Sequence, residues 1–197
     1  MLENNLPKIE KLVSSQPAVR ETQPASESVP GSFASPLDRA GERITKKTFG
    51  QYITPQNSPV QQERFSGYHT GTDFEIFPEE LNVDIPVVAV CDGKLLAART
   101  ASGYGGVAVE SCALDNQPIT VVYGHVNISS VKFKAGDQVK SGDIIALLGA
   151  NKGTQTDGER KHLHLGIYKG SGIDIRGYVQ NQSELSQWVD PVRNMSL

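Results

Sequence analysis

The texture of apolar and polar positions changes near residue 67. Downstream of it, short apolar or β-branched runs recur: IPVVAVCD (85–92), KLLAART (94–100), GVAVESCAL (106–114), PITVVYGHV (118–126), DIIALLG (143–149) and KHLHLGIY (161–168). Turn-forming clusters separate them, with Asp-Gly at 92–93, SGYGG at 102–106, LDNQ at 114–117, AGD at 135–137 and SGD at 141–143. Short runs at this spacing predict an all-β domain, a compact antiparallel sandwich or barrel. Within VKFKAGDQVKSGDIIALLG (131–149), Val139 and its flanks, a Ser-Gly-Asp turn and a buried strand predict a hairpin. No helical period is visible beyond a turn at Ser183–Trp188, and no repeat of 20–50 residues occurs.

Upstream the pattern disappears. Residues 14–40 are rich in Pro, Ser, Gln and Glu with no apolar period, so they bury too little surface to offset their ordering entropy. Residues 1–40 are therefore expected to be a disordered tail, dispensable for folding. Residues 41–66 are expected to be an irregular arm packing on the domain through Phe49, Tyr52, Ile53 and Phe65, and residues 67–197 to be the domain itself.

Composition adds little except by exclusion. Nineteen basic against 22 acidic residues give a net charge of −3, which offers no electrostatic reason to expect nucleic acid. No apolar run approaches the roughly 18–20 residues of a membrane helix. Seven of the eleven prolines lie in residues 1–60, and sixteen of the nineteen glycines lie from Gly67 onward, which sharpens the division between tail and domain. Two cysteines are too few for a disulfide-stapled scaffold. If the strands flanking SGYGG pair about Ser102–Gly103, position 91 faces about 115, so a Cys91–Cys112 bond needs a bulge or offset. Two reduced thiols are the ordinary reading, while pairing would fit an exported protein.

The four histidines carry the chemistry. They stand in three contexts, each beside glycine: His69 and Asp73 in GYHTGTDFEI, His125 in VVYGHV, and His162 and His164 in KHLHLGIY. On a strand, His162, His164 and Gly166 share one face while Leu163, Leu165 and Ile167 share the other. Four residues apart on extended backbone, His69 and Asp73 also share a side, with Phe74 and Ile76 turned away. Ile119, Val121, Tyr123 and His125 align likewise. Two imidazoles and a carboxylate suit zinc and leave a fourth position open, the catalytic rather than the structural pattern. The remaining two histidines are then free to orient water, move a proton or stabilise an oxyanion. Strand geometry alone leaves open which of His162 and His164 binds the metal. Tyr68, Tyr104 and Tyr123 flank these motifs and read first as core or rim residues.

The succession GYHTGTDFEI, SGYGG, VVYGHV, VKFKAGDQVKSGDIIALLG and HLHLGIY resembles peptidase family M23, the lysostaphin and LytM-type zinc metallopeptidases. The likeness spans Gly67 to about Tyr168, and WVDP (188–191) resembles the family's ending. It implies an antiparallel β fold and an endopeptidase that hydrolyses peptide bonds in bacterial peptidoglycan. It implies one zinc ion per chain on His69, Asp73 and His164, with His125 and His162 as catalytic histidines. The partners so implied are peptidoglycan peptides, with the enzyme working as a monomer in the cell envelope or outside the cell.

Three features depart from that pattern. The family's H-L-H usually continues Phe-Glu, whereas Leu165-Gly166 follows here. The loop GANKGTQTDGERK (149–161) is long and charged, and is expected to shape a substrate wall. No secretory signal is recognisable at the start, so a cytoplasmic location, a longer precursor or another export route all stay open. A non-catalytic LytM-like regulator that binds a cell-wall hydrolase is the alternative, although every motif position is filled. A lipoyl-type carrier is suggested by residues 131–149 but lacks methionines around a tip lysine.

Overall fold

The computed structural model describes residues 33–195 and 197. The expected tail therefore lies outside the described residues up to position 32. Residues 33–40, assigned to that tail above, are part of the packed structure. Phe33 bridges to Met195 with its N–H on the Asn194 carbonyl at 2.6 Å. The Ala34 N–H donates to the Val90 carbonyl and the Val88 N–H to the Pro36 carbonyl. Phe33, Leu37 and Ala40 are buried in the main core. Three apolar residues at positions 33, 37 and 40 supply anchors that a composition dominated by Pro and Ser conceals.

Among the described residues, thirteen strands form three antiparallel sheets. In chain order they are β1 (Tyr52–Ile53), β2 (Gly67–His69), β3 (Gly71–Glu75), β4 (Pro86–Val88), β5 (Gly93–Ala101), β6 (Gly105–Leu114) and β7 (Gln117–Gly124). There follow β8 (Val126–Asn127), β9 (Gln138–Val139), β10 (Ile144–Leu148), β11 (His162–Lys169), β12 (Tyr178–Val179) and β13 (Trp188–Val189). The principal sheet runs β13-β11-β7-β6-β5-β9, and β3 also pairs with β11. The small sheets are β4-β10-β8 and β1-β2-β12. Among the described residues the α-helices are single turns at Ala40–Arg43 and Gln182–Leu185. None among the described residues is long and apolar enough to cross a membrane.

Local sequence explains the ladders. Asp115 and Asn116 take φ values of 51° and 61° in the two-residue link where Leu114 faces Gln117. Positive φ at both central residues is the type I′ turn that matches strand twist. The alternation in β11 holds: Leu163, Leu165 and Ile167 enter the main core with Phe74, Val121 and Tyr123. The opposite face of the principal sheet carries a smaller cluster of Tyr104, Val107, Val109, Val122 and Trp188.

The hairpin expected over 131–149 does not form. Its Ser-Gly-Asp turn is present, with Gly142 at φ 88° and the Asp143 N–H on the Lys140 carbonyl at 2.9 Å. The flanking strands diverge, however, β9 to β5 and β10 to β4 and β8. Both flanks carry apolar positions that the principal sheet and the small sheet bury separately, which outweighs pairing across a tight turn.

Candidate metal centre and catalytic cleft

The chain passes from one sheet to another between β2 and β3, and this crossing builds the centre. His69 ends β2 and Asp73 lies in β3, opposite His164 of β11. The arm pins the crossing from behind. The His69 N–H donates to the Gln51 carbonyl, the Gly50 N–H to the His69 carbonyl and the Asp73 N–H to the Lys47 carbonyl, all at 2.8–2.9 Å. Close packing demands glycine at two points. A Cβ at Gly71 would strike the Leu165 carbonyl and the His164 ring, and one at Gly124 would strike the Tyr104 ring.

His69, Asp73 and His164 converge and are all buried. His69 Nε2 lies 3.0 Å from His164 Nδ1 and 3.3 Å from Asp73 Oδ1, and His164 Nδ1 lies 3.2 Å from the same Oδ1. Donors at about 2.0–2.1 Å from a shared tetrahedral ion stand about 3.3–3.4 Å apart, so the three atoms fit such an ion with small adjustments. The Nδ1–H of His69 donates to the Thr48 carbonyl at 3.2 Å, which leaves Nε2 as the free lone pair. His164 presents Nδ1, and its buried Nε2 has no partner among the described residues. Burial lowers the His164 imidazole to about 4, despite the Asp73 carboxylate beside it, so the ring is neutral near pH 7. Burial works in the opposite direction on Asp73. The His69 and His162 rings outweigh it and hold that carboxyl well below its usual range.

His125 and His162 stand beside this group with ring centroids 4.3 Å apart. The Nδ1–H of His125 donates to the Tyr104 carbonyl at 3.0 Å and that of His162 to the Arg160 carbonyl at 2.8 Å. Each ring therefore keeps Nε2 as a proton acceptor, and His162 Nε2 lies 3.4 Å from Asp73 Oδ2. Burial and the neighbouring His162 push the His125 imidazole well below its usual value. His125 does not align with Ile119, Val121 and Tyr123 as strand alternation predicts. β7 ends at Gly124, and His125 adopts φ 62°, which turns its ring off the core face and onto His162. All five candidate residues of the sequence reading thus meet in one place.

Other members of the site were missed by the sequence reading. Arg160, from the charged loop, donates from Nη2 to Asp73 Oδ2 at 2.8 Å and from Nε to both Glu75 oxygens at 2.9 and 3.0 Å. It thus binds a candidate metal ligand with its side chain and a candidate catalytic histidine with its carbonyl. The loop does line the cleft, through Glu159 and Arg160. Lys47 reaches Glu63 and the Tyr178 hydroxyl, and Phe65 stacks on Tyr178 with centroids 5.6 Å apart. These residues wall a cleft of about 370 Å³ over the five site residues. The surplus of charge in 149–161 was the available signal for Arg160. Nothing in the sequence signalled Tyr178, which β12 brings to β2. Where the resemblance leads one to expect Glu after H-L-H-x, Gly166 leaves its space to the Trp188 ring, 3.2 Å from an added Cβ.

Known proteins resemble this chain in sequence and in fold. The family model described as "Peptidase family M23" matches residues 67–178. A curated relative, Endolysin 2638A of Staphylococcus phage 2638A, is 35% identical over 119 residues, 60% of this chain and 23% of its own length. The chain thus spans about a quarter of that relative. LytU is similar in structure at 29% identity and TM-score 0.50, covering 89% of this chain and all of that one. The catalytic domain of lysostaphin from Staphylococcus simulans shares the fold at 23% identity and TM-score 0.51, covering 78% of this chain and 95% of that chain.

Proposed function

The chain belongs to peptidase family M23, and from that premise we propose that it is a zinc metalloendopeptidase hydrolysing peptide bonds of bacterial peptidoglycan. The observation that carries the reading is the convergence of His69 Nε2, Asp73 Oδ1 and His164 Nδ1 beside a second pair of histidines, His125 and His162. One zinc ion per chain would be held by those three atoms, lowering the pKa of water and polarising the scissile carbonyl. His125 and His162 present Nε2 toward the cleft and supply the proton handling: one accepts the water's proton, and the protonated imidazole serves the leaving amine. Asp73 shares its charge between the metal position and the Arg160–His162 side, which keeps His162 oriented. The cleft walls, Phe65 and Tyr178 on one side and Tyr104 on the other, exclude water around the bound peptide. All five residues come from one chain, which supports action as a monomer. Peptide crosslinks of the cell wall as substrate place the enzyme in the cell envelope or outside the cell.

The test is metal analysis of the purified chain together with a digest of purified peptidoglycan. About one zinc per chain and release of new amino termini are expected. His164→Ala should lose both metal and activity. His125→Ala and His162→Ala should keep the metal and lose activity about 10²–10⁴-fold. Metal retained by His164→Ala would overturn the ligand assignment. A metal-loaded protein that binds peptidoglycan or a hydrolase without cleaving would favour the regulator instead.

A further inference from the structure

A second cluster of metal-binding residue types lies along the same ladder, away from the cleft. Where Val107 of β6 faces Gly124 next to the site, Glu110 faces Val121 three positions further on. Glu110 and Cys112 point to the main-core face of β6, and Cys91 follows Val90 above them. The two sulfurs are bonded, with Cα atoms 6.2 Å apart. This answers the question the sequence left open. The β5–β6 ladder carries the register shift between Leu95 and Ala97 that such a bond requires.

The unusual member is Glu110, which is fully buried. Its Oε2 accepts the Tyr123 hydroxyl at 2.6 Å, and the Tyr123 oxygen in turn accepts the Val90 N–H at 2.9 Å. Its Oε1 has no partner among the described residues. Buried polar atoms are nearly always satisfied, and a disulfide offers this oxygen no proton. The two sulfurs and a carboxylate oxygen nevertheless lie within 4.8 Å of one another.

We propose that Cys91, Cys112 and Glu110 form a redox-gated cation site, closed as a disulfide when oxidised and binding a soft divalent cation, of the zinc and cadmium class, when reduced. Opening takes two electrons from a dithiol or phosphine reductant, which is itself oxidised, and two protons, supplied by the dithiol or by the water whose oxygen the phosphine takes up as its oxide. Binding the cation then displaces the two thiol protons and the proton that burial keeps on the Glu110 carboxyl, whose pKa it raises to about 8, and leaves two thiolates and the Glu110 carboxylate as ligands. Thiolates select soft or borderline cations over magnesium and calcium. The Tyr123–Val90 relay fixes the carboxylate from behind, the kind of support that orients a metal ligand. Both cysteines are half-buried and pack against the main core.

Cadmium titration of the full chain, oxidised and phosphine-reduced, tests this. Thiolate-to-cadmium charge-transfer absorption reports this site alone, since His69, Asp73 and His164 contribute no sulfur. The reduced chain should gain the band at one cadmium per band-forming site and the oxidised chain should not. His164→Ala should leave it unchanged. Cys112→Ser or Cys91→Ser should abolish it. Glu110→Gln, nearly isosteric, should keep the band but weaken binding by about tenfold or more. No band in the reduced chain, or equal affinity in Glu110→Gln, would overturn the proposal.

Discussion

Arg160 shows how much one side chain can organise. Its guanidinium ties Asp73 to Glu75, and its carbonyl holds His162 Nδ1–H. Outer partners of metal ligands typically contribute 10–100-fold in affinity. On the ligand role proposed for Asp73, Arg160→Ala should therefore weaken zinc binding by about that factor, with Arg160→Lys between the two in a chelator competition. The histidines and Asp73 of the candidate centre stood out in the sequence because few residue types suit the chemistry proposed for them. Arg160 was not, since a lone arginine in a charged loop reads as solvated until Asp73 and Glu75 are placed beneath it. Glu63 gives a pH test at the same scale. Burial alone would raise its carboxyl. The hydrogen bond and charge of Lys47, with the Phe65 N–H and the Ser58 hydroxyl, outweigh that and hold it below its ordinary 4.5. A carboxyl depressed in the folded state stabilises above its unfolded pKa and loses that contribution as pH falls through the folded value. Urea unfolding should therefore find wild type ahead of Glu63→Gln at pH about 6, with the gap closing toward pH about 3.

Among the elements, strands with clean alternation were the readable ones. β11 follows its pattern because one face meets the core and the other the cleft. Alternation fails where backbone conformation intervenes, at the left-handed His125, and where strands separated by a good turn find better partners, as β9 and β10 do. The arm is more than packing: its backbone at 47–51 holds both sides of the β2–β3 crossing. The segment before it matters too. Phe33 is 4% exposed and Leu37 is 2% exposed in the main core. Truncating a buried phenylalanine costs about 3–5 kcal/mol, so Phe33→Ala should lower stability by about that amount in chemical denaturation. A chain beginning at residue 40 should melt well below the full chain.

For the molecule as a whole, the fold class followed from short strands and turn signals, while the division into three sheets did not. That division depends on which apolar faces meet, and pairs such as β2 with β12 join residues more than a hundred positions apart. The cleft arises where two of those sheets abut, and His125 reaches it only through its left-handed backbone. Such a conformation costs a non-glycine residue about 1–2 kcal/mol, a load the entire fold carries for the sake of one imidazole. On the catalytic role proposed above, His125→Gly should be inactive, and the left-handed backbone should make it more stable than His125→Ala, by about 2–4 °C in melting temperature for each kcal/mol recovered. In descendants released from the need for turnover, the left-handed backbone at position 125 favours drift toward glycine or asparagine. On the role proposed for His125, the residue at this position in a related sequence then serves as a record of whether selection there acts on catalysis or only on the scaffold.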